Sequence, residues 1–489
     1  MKIAIVASEA APFAKTGGLA DVAGALPKAL FRLGHEPFLV MPLYQQVRAS
    51  GAQLVERARF PLPVGRRTLS ALLSEGEIPG TSAPAYFLDA DGFFDRPGLY
   101  GEGHCDYPDN CERFAMLSRG AIEAFRILGI SPDVFHVHDW QTALIPPYLR
   151  LLYDQDPCVG RSATLLTIHN IAHQGVFWHW DMETIGIPWE HFNWKEFEFW
   201  GKINLLKGGI VYADVVNTVS PTYAREIQTE AHGHGLDGVL RERRDSLHGV
   251  VNGIDDAVWN PAADPYIKRP YGPEDLSGKA ACKRALQRSV GLRLRKVPLA
   301  GIVSRFAEQK GLDIACEALK RMLPDTQMQC VILGDGDYTV KEDLEAVAAQ
   351  YPESLKVVSG YDEALAHRII AGADMILVPS RFEPCGLTQL YGLKYGSVPV
   401  VRRTGGLNDT VCDCTPETLE AGTATGFVFD DPTPEALMEA LRRAIALWHD
   451  KTAWTRLVRN GMRQDWSWQA SAARYVQLYG EAMRRRKTR

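Results

Sequence analysis

The 489-residue chain contains no apolar run of about 18 residues or more, so no segment reads as a membrane-spanning helix. It has no C-x-x-C pair, and its nine cysteines are scattered and odd in number. That excludes an obvious disulfide framework and suits free thiols in a reducing compartment. It also lacks a basic excess: the formal net charge is −5, which argues against nucleic acid or a polybasic membrane surface as the main partner. An anionic ligand must therefore be gripped locally. No internal repeat, low-complexity tract or coiled-coil heptad is evident. Met1-Lys2-Ile3-Ala4-Ile5-Val6 runs straight into a strand pattern without a signal or transit segment, so a cytoplasmic location is expected.

Hydrophobic residues make up 46% of the chain and charged residues 23%, enough apolar material for packed cores. The length calls for more than one core, and two large ones fit best. Near-continuous apolar runs recur at Ile3–Ala7, Phe38–Met41, Val134–Val137, Leu165–Ile168 and Val215–Val219. Runs of this kind are what a parallel sheet covered on both faces requires. Between them lie helical patterns, such as Leu19, Val22, Ala23, Leu26, Leu30 and Leu33 before Gly34. The series breaks near Val250-Val251-Asn252-Gly253-Ile254-Asp255 and a Pro-rich stretch from Asn260 to Gly278. It resumes with strands at Leu299–Val303, Val331–Leu333, Met375–Val378 and Val398–Val401, and helices at Thr339–Ala349 and Glu435–Ala446. The pattern predicts an α/β protein of two doubly wound, Rossmann-like domains, 1–252 and 253–467, facing a central cleft where ligands bind beyond the strand ends. The terminal Arg484-Arg485-Arg486-Lys487 run reads as a solvated basic helix end.

Four groups of residues carry chemistry. Lys15-Thr16-Gly17-Gly18-Leu19-Ala20-Asp21 follows the first strand and opens the first helix, combining close backbone approach, free N–H groups and a mobile cation for phosphate. It is neither G-x-G-x-x-G nor a Walker loop. Ser304-Arg305-Phe306-Ala307-Glu308-Gln309-Lys310-Gly311 leaves the first strand of the second series, where Arg305 and Lys310 can neutralise a diphosphate. Pro379-Ser380-Arg381-Phe382-Glu383-Pro384-Cys385-Gly386-Leu387-Thr388 leaves another strand: Glu383 is available to sugar hydroxyls, and the Gly386–Thr388 amides would open a helix toward phosphate. Arg403-Thr404-Gly405-Gly406-Leu407 repeats the arrangement. His136-Val137-His138-Asp139-Trp140 and Thr167-Ile168-His169-Asn170 each end a strand. Because His136 and His138 share a face, a metal-dependent hydrolase is the rival reading. Against it, hydrolase barrels need about eight repeats of one strand–helix unit. Three D-x-D triplets, beginning at Asp89, Asp154 and Asp335, occur about as often as chance allows, and no metal is assigned to them.

In this order the motifs resemble the bacterial glycogen synthase and plant starch synthase family of retaining glycosyltransferases with the GT-B fold. The resemblance runs from Lys2 to about Trp468. It rests on Lys15 to Val22, His138-Asp139-Trp140, His169-Asn170, Asn252-Gly253-Ile254-Asp255, Ser304 to Gly311 and Phe382 to Gln389. It implies transfer of glucose from ADP-glucose to the non-reducing end of an α-1,4-glucan such as glycogen, with neither metal nor cofactor. It implies donor contacts from Lys15, Gly18, Asn252, Arg305, Lys310, Cys385, Gly386, Leu387 and Thr388, and catalytic roles for Glu383, His169, Arg305 and Lys310. Asp21, Asp139, Trp140 and His169 would serve the sugar and acceptor side, and the last helix, 468–489, would cross back to the first domain. Many relatives in the wider clan carry a second Glu where Tyr391 stands here. A non-catalytic glucan-binding relative is the other alternative. The aromatic segment from Phe177 to Trp200 is expected to be core or interface, with stacking surfaces for a glucan as the alternative.

Overall fold

The computed structural model describes residues 1–103 and 105–488, and the chain divides into two compact units, Met1–Gly253 with Trp468–Arg489 and Ile254–Ser467.

In the first unit, the strands of the main sheet are β1 (Lys2–Val6), β2 (Glu36–Pro42), β3 (Val55–Val64), β4 (Arg67–Glu77), β5 (Pro84–Ala90), β6 (Val134–His138) and β7 (Ala163–Ile168), with β11 (Val215–Thr218) and β12 (Leu247–Gly249). A separate small sheet holds β8 (Val176–Trp178), β9 (Glu198–Phe199) and β10 (Lys202–Asn204). The main sheet runs β12-β11-β7-β6-β1-β2-β5-β4-β3. All its pairings are parallel except β5 with β4 and β4 with β3. The chain moves outward from β1 through β2 and returns to β6 on the other side, so a switch point lies beside β1, where ligands collect in such sheets. β6 and β7 are buried along their whole length, as strands covered on both faces must be.

The helix after β1 is α1 (Gly18–Arg32), which buries Leu19, Val22, Ala23, Leu26 and Leu30 along one stripe. α2 (Asn110–Leu128) packs on β3, β5 and β2, and α3 (Leu205–Tyr212) packs on neighbouring helices.

The second unit is a six-stranded parallel sheet. Its strands are β13 (Leu299–Val303), β14 (Gln329–Gly334), β15 (Leu355–Ser359), β16 (Met375–Val378), β17 (Val398–Arg402) and β18 (Phe427–Phe429), in the order β15-β14-β13-β16-β17-β18. This is the doubly wound 3-2-1-4-5-6 order, with its switch point between β13 and β16. Its helices include α4 (Ser277–Ser289), α5 (Leu312–Met322), α6 (Glu363–Gly372), α7 (Thr388–Tyr395), α8 (Gly405–Thr410) and α9 (Pro434–His449).

The last helix, α10 (Trp468–Thr488), belongs to the first unit. Trp468, Ala472, Tyr475, Tyr479 and Ala482 recur at spacings of three and four and enter that unit's core. The terminal basic run is more than a solvated end. Arg486 is mostly buried, reaching Asp154 at 2.6 Å and the Gly160 carbonyl, and Arg485 donates to the Asp245 carbonyl. Guanidinium forks satisfying carbonyls at a helix terminus pin it down. Among the described residues no helix is long and apolar enough to cross a membrane.

Candidate active site

In the first unit, chemistry gathers at the carboxyl ends of β1, β6 and β7. Glu9, just beyond β1, is buried and accepts from the Thr16 N–H at 2.5 Å and the Thr16 hydroxyl at 2.8 Å. It fixes the approach to α1, whose N-cap, Gly17, offers no side-chain cap. The first-turn N–H groups of that helix are therefore left without a side-chain acceptor. Burial pushes the Glu9 carboxyl up from its ordinary range. Lys15 and Asp21, assigned separately to donor and sugar in the sequence, are bonded to each other at 2.6 Å and are both partly exposed. Gly18 is the first residue of α1.

His138 and His169 are also joined, Nδ1 to Nε2 at 2.9 Å. One ring must donate and the other accept, so they share a single tautomeric arrangement. Burial holds His169 down to about 3 and keeps His138 well below the usual histidine range, so both are neutral near pH 7. His136 has both ring nitrogens engaged, Nδ1 with the Tyr479 hydroxyl at 3.0 Å and Nε2 with Thr167 at 2.8 Å. It has no lone pair to offer a cation, which removes the H-x-H metal reading for this residue.

Asp139 takes a left-handed backbone, φ 54°, a strained conformation of the kind that clusters at functional sites. Its carboxylate accepts the His169 N–H at 2.6 Å, and burial raises its pKa to about 7. The structure thus gives Asp139 a positioning contact with the His169 backbone. Trp140 packs edge-on to Phe114 at 5.0 Å and against Phe177 at 5.5 Å. A Cβ on Gly175, at φ 63°, would lie 2.4 Å from the Trp140 ring, so glycine is what admits the indole. Asn252 is buried with its Oδ1 unbonded among the described residues.

The aromatic segment divides between core and surface. Phe197 is core, but Trp178, Trp180, Trp194 and Trp200 are more than half exposed and Trp189 is 41% exposed. Trp180 lies 5.3 Å from Trp189 and 6.2 Å from Trp178, forming an open aromatic surface.

In the second unit, Lys310 and Glu383 face one another beyond β13 and β16. Lys310 Nζ donates to Glu383 Oε2 at 2.6 Å, and the Ser380 hydroxyl donates to the same oxygen at 2.9 Å. Lys310 retains two further N–H donors. A cavity of about 50 Å³ lies here, walled by Ser304, Lys310, Ser380, Glu383, Gly386 and Thr388. Gly386 adopts φ 74°. α7 starts at Thr388, so the Gly386 and Leu387 amides precede the helix instead of opening it. Leu387 supplies no side-chain cap, leaving the first-turn N–H groups available. Cys385 is buried, and its carbonyl accepts from Gln389 Nε2 at 3.0 Å. Arg305 is exposed, and its guanidinium has no partner among the described residues. Glu9 and Ser380 were not singled out in the sequence, since a lone Glu or Ser after a strand carries no spacing signal. The D-x-D residues serve the backbone or surface: Asp89 accepts from Ala90 and Phe94, Asp154 pairs with Arg486, and Asp337 caps the helix Tyr338–Gln350.

Residues 2–242 match the starch synthase catalytic domain family, and residues 284–461 match the glycosyl transferases group 1 family. A glycogen synthase of Syntrophotalea carbinolica is 47% identical over 99% of both chains. The chain belongs to the glycogen synthase and starch synthase family. Glycogen synthase 1 of Geobacter metallireducens is 46% identical over 99% of this chain and 97% of its own. The catalytic domain of Arabidopsis thaliana starch synthase IV, solved bound to ADP and acarbose, superposes with a TM-score of 0.91 at 33% identity over 99% of both chains. A sucrose-phosphate synthase from Thermosynechococcus elongatus, 17% identical over 98% of both chains with a TM-score of 0.58, shares the fold. This member of the family is a glycosyltransferase with the GT-B fold, which overturns the hydrolase alternative.

Proposed function

We propose that the enzyme transfers glucose from ADP-glucose to the non-reducing end of an α-1,4-glucan with retention of configuration. The observation that carries the reading is the Lys310–Glu383 pair set beside the uncapped start of α7. A cation, free helix N–H groups and a carboxylate together suit a phosphate next to a sugar.

In this reading Lys310 turns its remaining donors to the diphosphate and Arg305 adds its unpaired guanidinium, and on the first unit Lys15 and the start of α1 offer a cation and N–H groups suited to phosphate. Gly386 and the start of α7 give backbone donors. Glu383 Oε1 accepts from a glucose hydroxyl, and its charge supports the oxocarbenium-like transition state. His169 lies against the sugar, held by Asp139 and His138. The acceptor hydroxyl attacks on the face from which the diphosphate leaves. Positive potential at the leaving group comes from side chains and helix termini, aimed at charge that develops only in the transition state. The exposed indoles of Trp178 and Trp180 support a polysaccharide acceptor, since flat aromatic faces stack on sugar rings. Support for adenine in the donor comes from the ADP-bound relative and the shared motifs. The free cysteines suit a reducing compartment and support a cytoplasmic location.

Incubating the chelator-treated protein with labelled ADP-glucose and glycogen tests it. Label in the polymer is expected; free glucose alone, or no turnover, rejects the reading. A parallel incubation with UDP-glucose reads donor choice, and an equal rate with both would reject the stated preference.

A further inference from the structure

A second cavity, of about 300 Å³, opens on the second unit between α4, the middle of α6 and the loop ahead of α4. None of its lining residues belongs to the Lys310–Glu383 site. Its floor is Ile267, Cys282, Ala285 and Leu286, predominantly apolar, and its rim carries Lys268 and Arg368. Both rim cations are exposed, and neither side chain has a hydrogen bond or ion pair among the described residues. Two unneutralised cations above an apolar hollow are complementary to a molecule with an anionic head and an apolar body. The volume corresponds to roughly ten waters at about 30 Å³ each, which sets the size of the occupant at a short acyl or aryl chain.

The rim continues into the molecule through stacked rings. Tyr266 lies 5.0 Å from His367, the residue preceding Arg368. His367 stacks on Trp259 at 3.8 Å and 7°, and Trp259 stacks on Tyr391 at 3.8 Å and 11°. Tyr391 belongs to α7. Asp264 fixes the stack, accepting from the Tyr395 hydroxyl at 2.7 Å and meeting His367 Nδ1 at 2.8 Å.

We infer that this cavity is a binding site for an amphipathic carboxylate or phosphate monoester, and that its occupancy is transmitted along Tyr266, His367 and Trp259 to α7. An apolar chain on Ile267 and Leu286 with its head between Lys268 and Arg368 orders Tyr266. A braced ring stack in turn lowers the cost of ordering α7 around the donor. This second half rests on the donor-binding reading of α7; the first half does not.

The test uses the full chain and sodium octanoate as the probe, with 1-octanol and inorganic phosphate as partial probes. Calorimetric titration is expected to give saturable one-site binding of octanoate, about tenfold or more tighter than either partial probe, the factor that roughly 1.4 kcal/mol of head–cation attraction supplies. Lys268→Ala with Arg368→Ala should remove most of that advantage, and Ala285→Trp should abolish binding by filling the hollow. Octanol binding as tightly as octanoate, unsaturable multi-site uptake, or affinity unchanged in the variants overturns the site. Saturating octanoate should also lower the donor KM by about fivefold, the scale of a modest coupling between sites. An unchanged KM overturns the transmission. Failure of the donor reading itself would look different: octanoate would bind normally while no sugar was transferred under any condition.

Discussion

Lys310 Nζ and Glu383 Oε2 lie 2.6 Å apart although 73 residues separate them in the chain. The pair is mostly buried, with side-chain exposures of 21% and 8%. Removing one partner therefore strands the other's charge in a poorly solvated site. Lys310→Ala is expected to lower turnover by roughly 100-fold or more, as loss of a charge-stabilising donor does. Glu383→Gln, which preserves shape but leaves the Lys310 charge unpaired, should lower kcat and the melting temperature together. Steady-state kinetics with melting curves checks both, and near-wild-type turnover in either variant rejects its role.

Asp139 titrates at about 7 because burial disfavours its charge. As pH falls through that value the carboxylate is protonated and becomes a poorer acceptor for the His169 N–H. Activity should therefore drop on the acid side with an apparent pKa of about 7, and Asp139→Asn should be low and flat across the same range. A pH profile of kcat/KM decides it; an unchanged acid limb in the variant would count against Asp139.

His136 is held down to about 3 by burial, so between pH 6.5 and 3 the unfolded chain binds a proton that the folded chain refuses. The stability this neutral ring supports is complete above about 6.5 and is lost as pH falls toward 3, by at most about 1.4 kcal/mol per pH unit. Asp139 and Glu9, raised by burial, act in the opposite direction. The clean comparison is therefore the stability gap between wild type and His136→Gln in urea, which should narrow as pH is lowered from 6.5 to 5. A gap independent of pH contradicts the assignment.

A Cβ on Gly405 would lie 2.0 Å from the Glu383 carbonyl oxygen, at a backbone φ of 43°. Gly405→Ala must displace the Glu383 loop or its own turn, at a cost of about 1–3 kcal/mol from backbone strain alone. Expected are a lower melting temperature and a fall in turnover; unaltered kinetics would show that the contact does not position Glu383.

Trp178→Ala with Trp180→Ala should weaken retention on immobilised glycogen by roughly two- to tenfold, the scale of one lost aromatic stacking contact. Turnover on maltotriose should fall less than retention on glycogen, because a trisaccharide offers fewer rings to stack than a polymer. Equal retention of both proteins would rule these rings out of glucan binding.

The parallel strands were legible because full burial forces continuous apolar runs, as in Val134–His138 and Leu299–Val303. The antiparallel edge was not. β3 alternates buried and exposed positions along part of its length and carries Pro61 and Pro63, which an edge strand tolerates but which look like breaks in sequence. Short strands such as Phe427–Phe429 were too brief to register. Within the site, residue types and positions at strand ends could be read, but the pairings of Lys310 with Glu383 and of His138 with His169 could not. Contact between residues so far apart in sequence is a property of the sheet order. Which indoles of 178–200 are core and which are surface was left open, because aromatic density alone does not tell which face of a short sheet meets water.

α10 supplies Tyr475 and Tyr479 to the first unit's interior, the latter bonded to His136, yet it follows the whole of the second unit in the chain. During synthesis the opening 253 residues must wait for these last turns, a delay on the order of tens of seconds at about 5–20 residues per second. The nascent lobe remains unsealed beside its buried histidines throughout that interval. Chains that stall short of residue 468 would carry a complete later lobe and a defective earlier one.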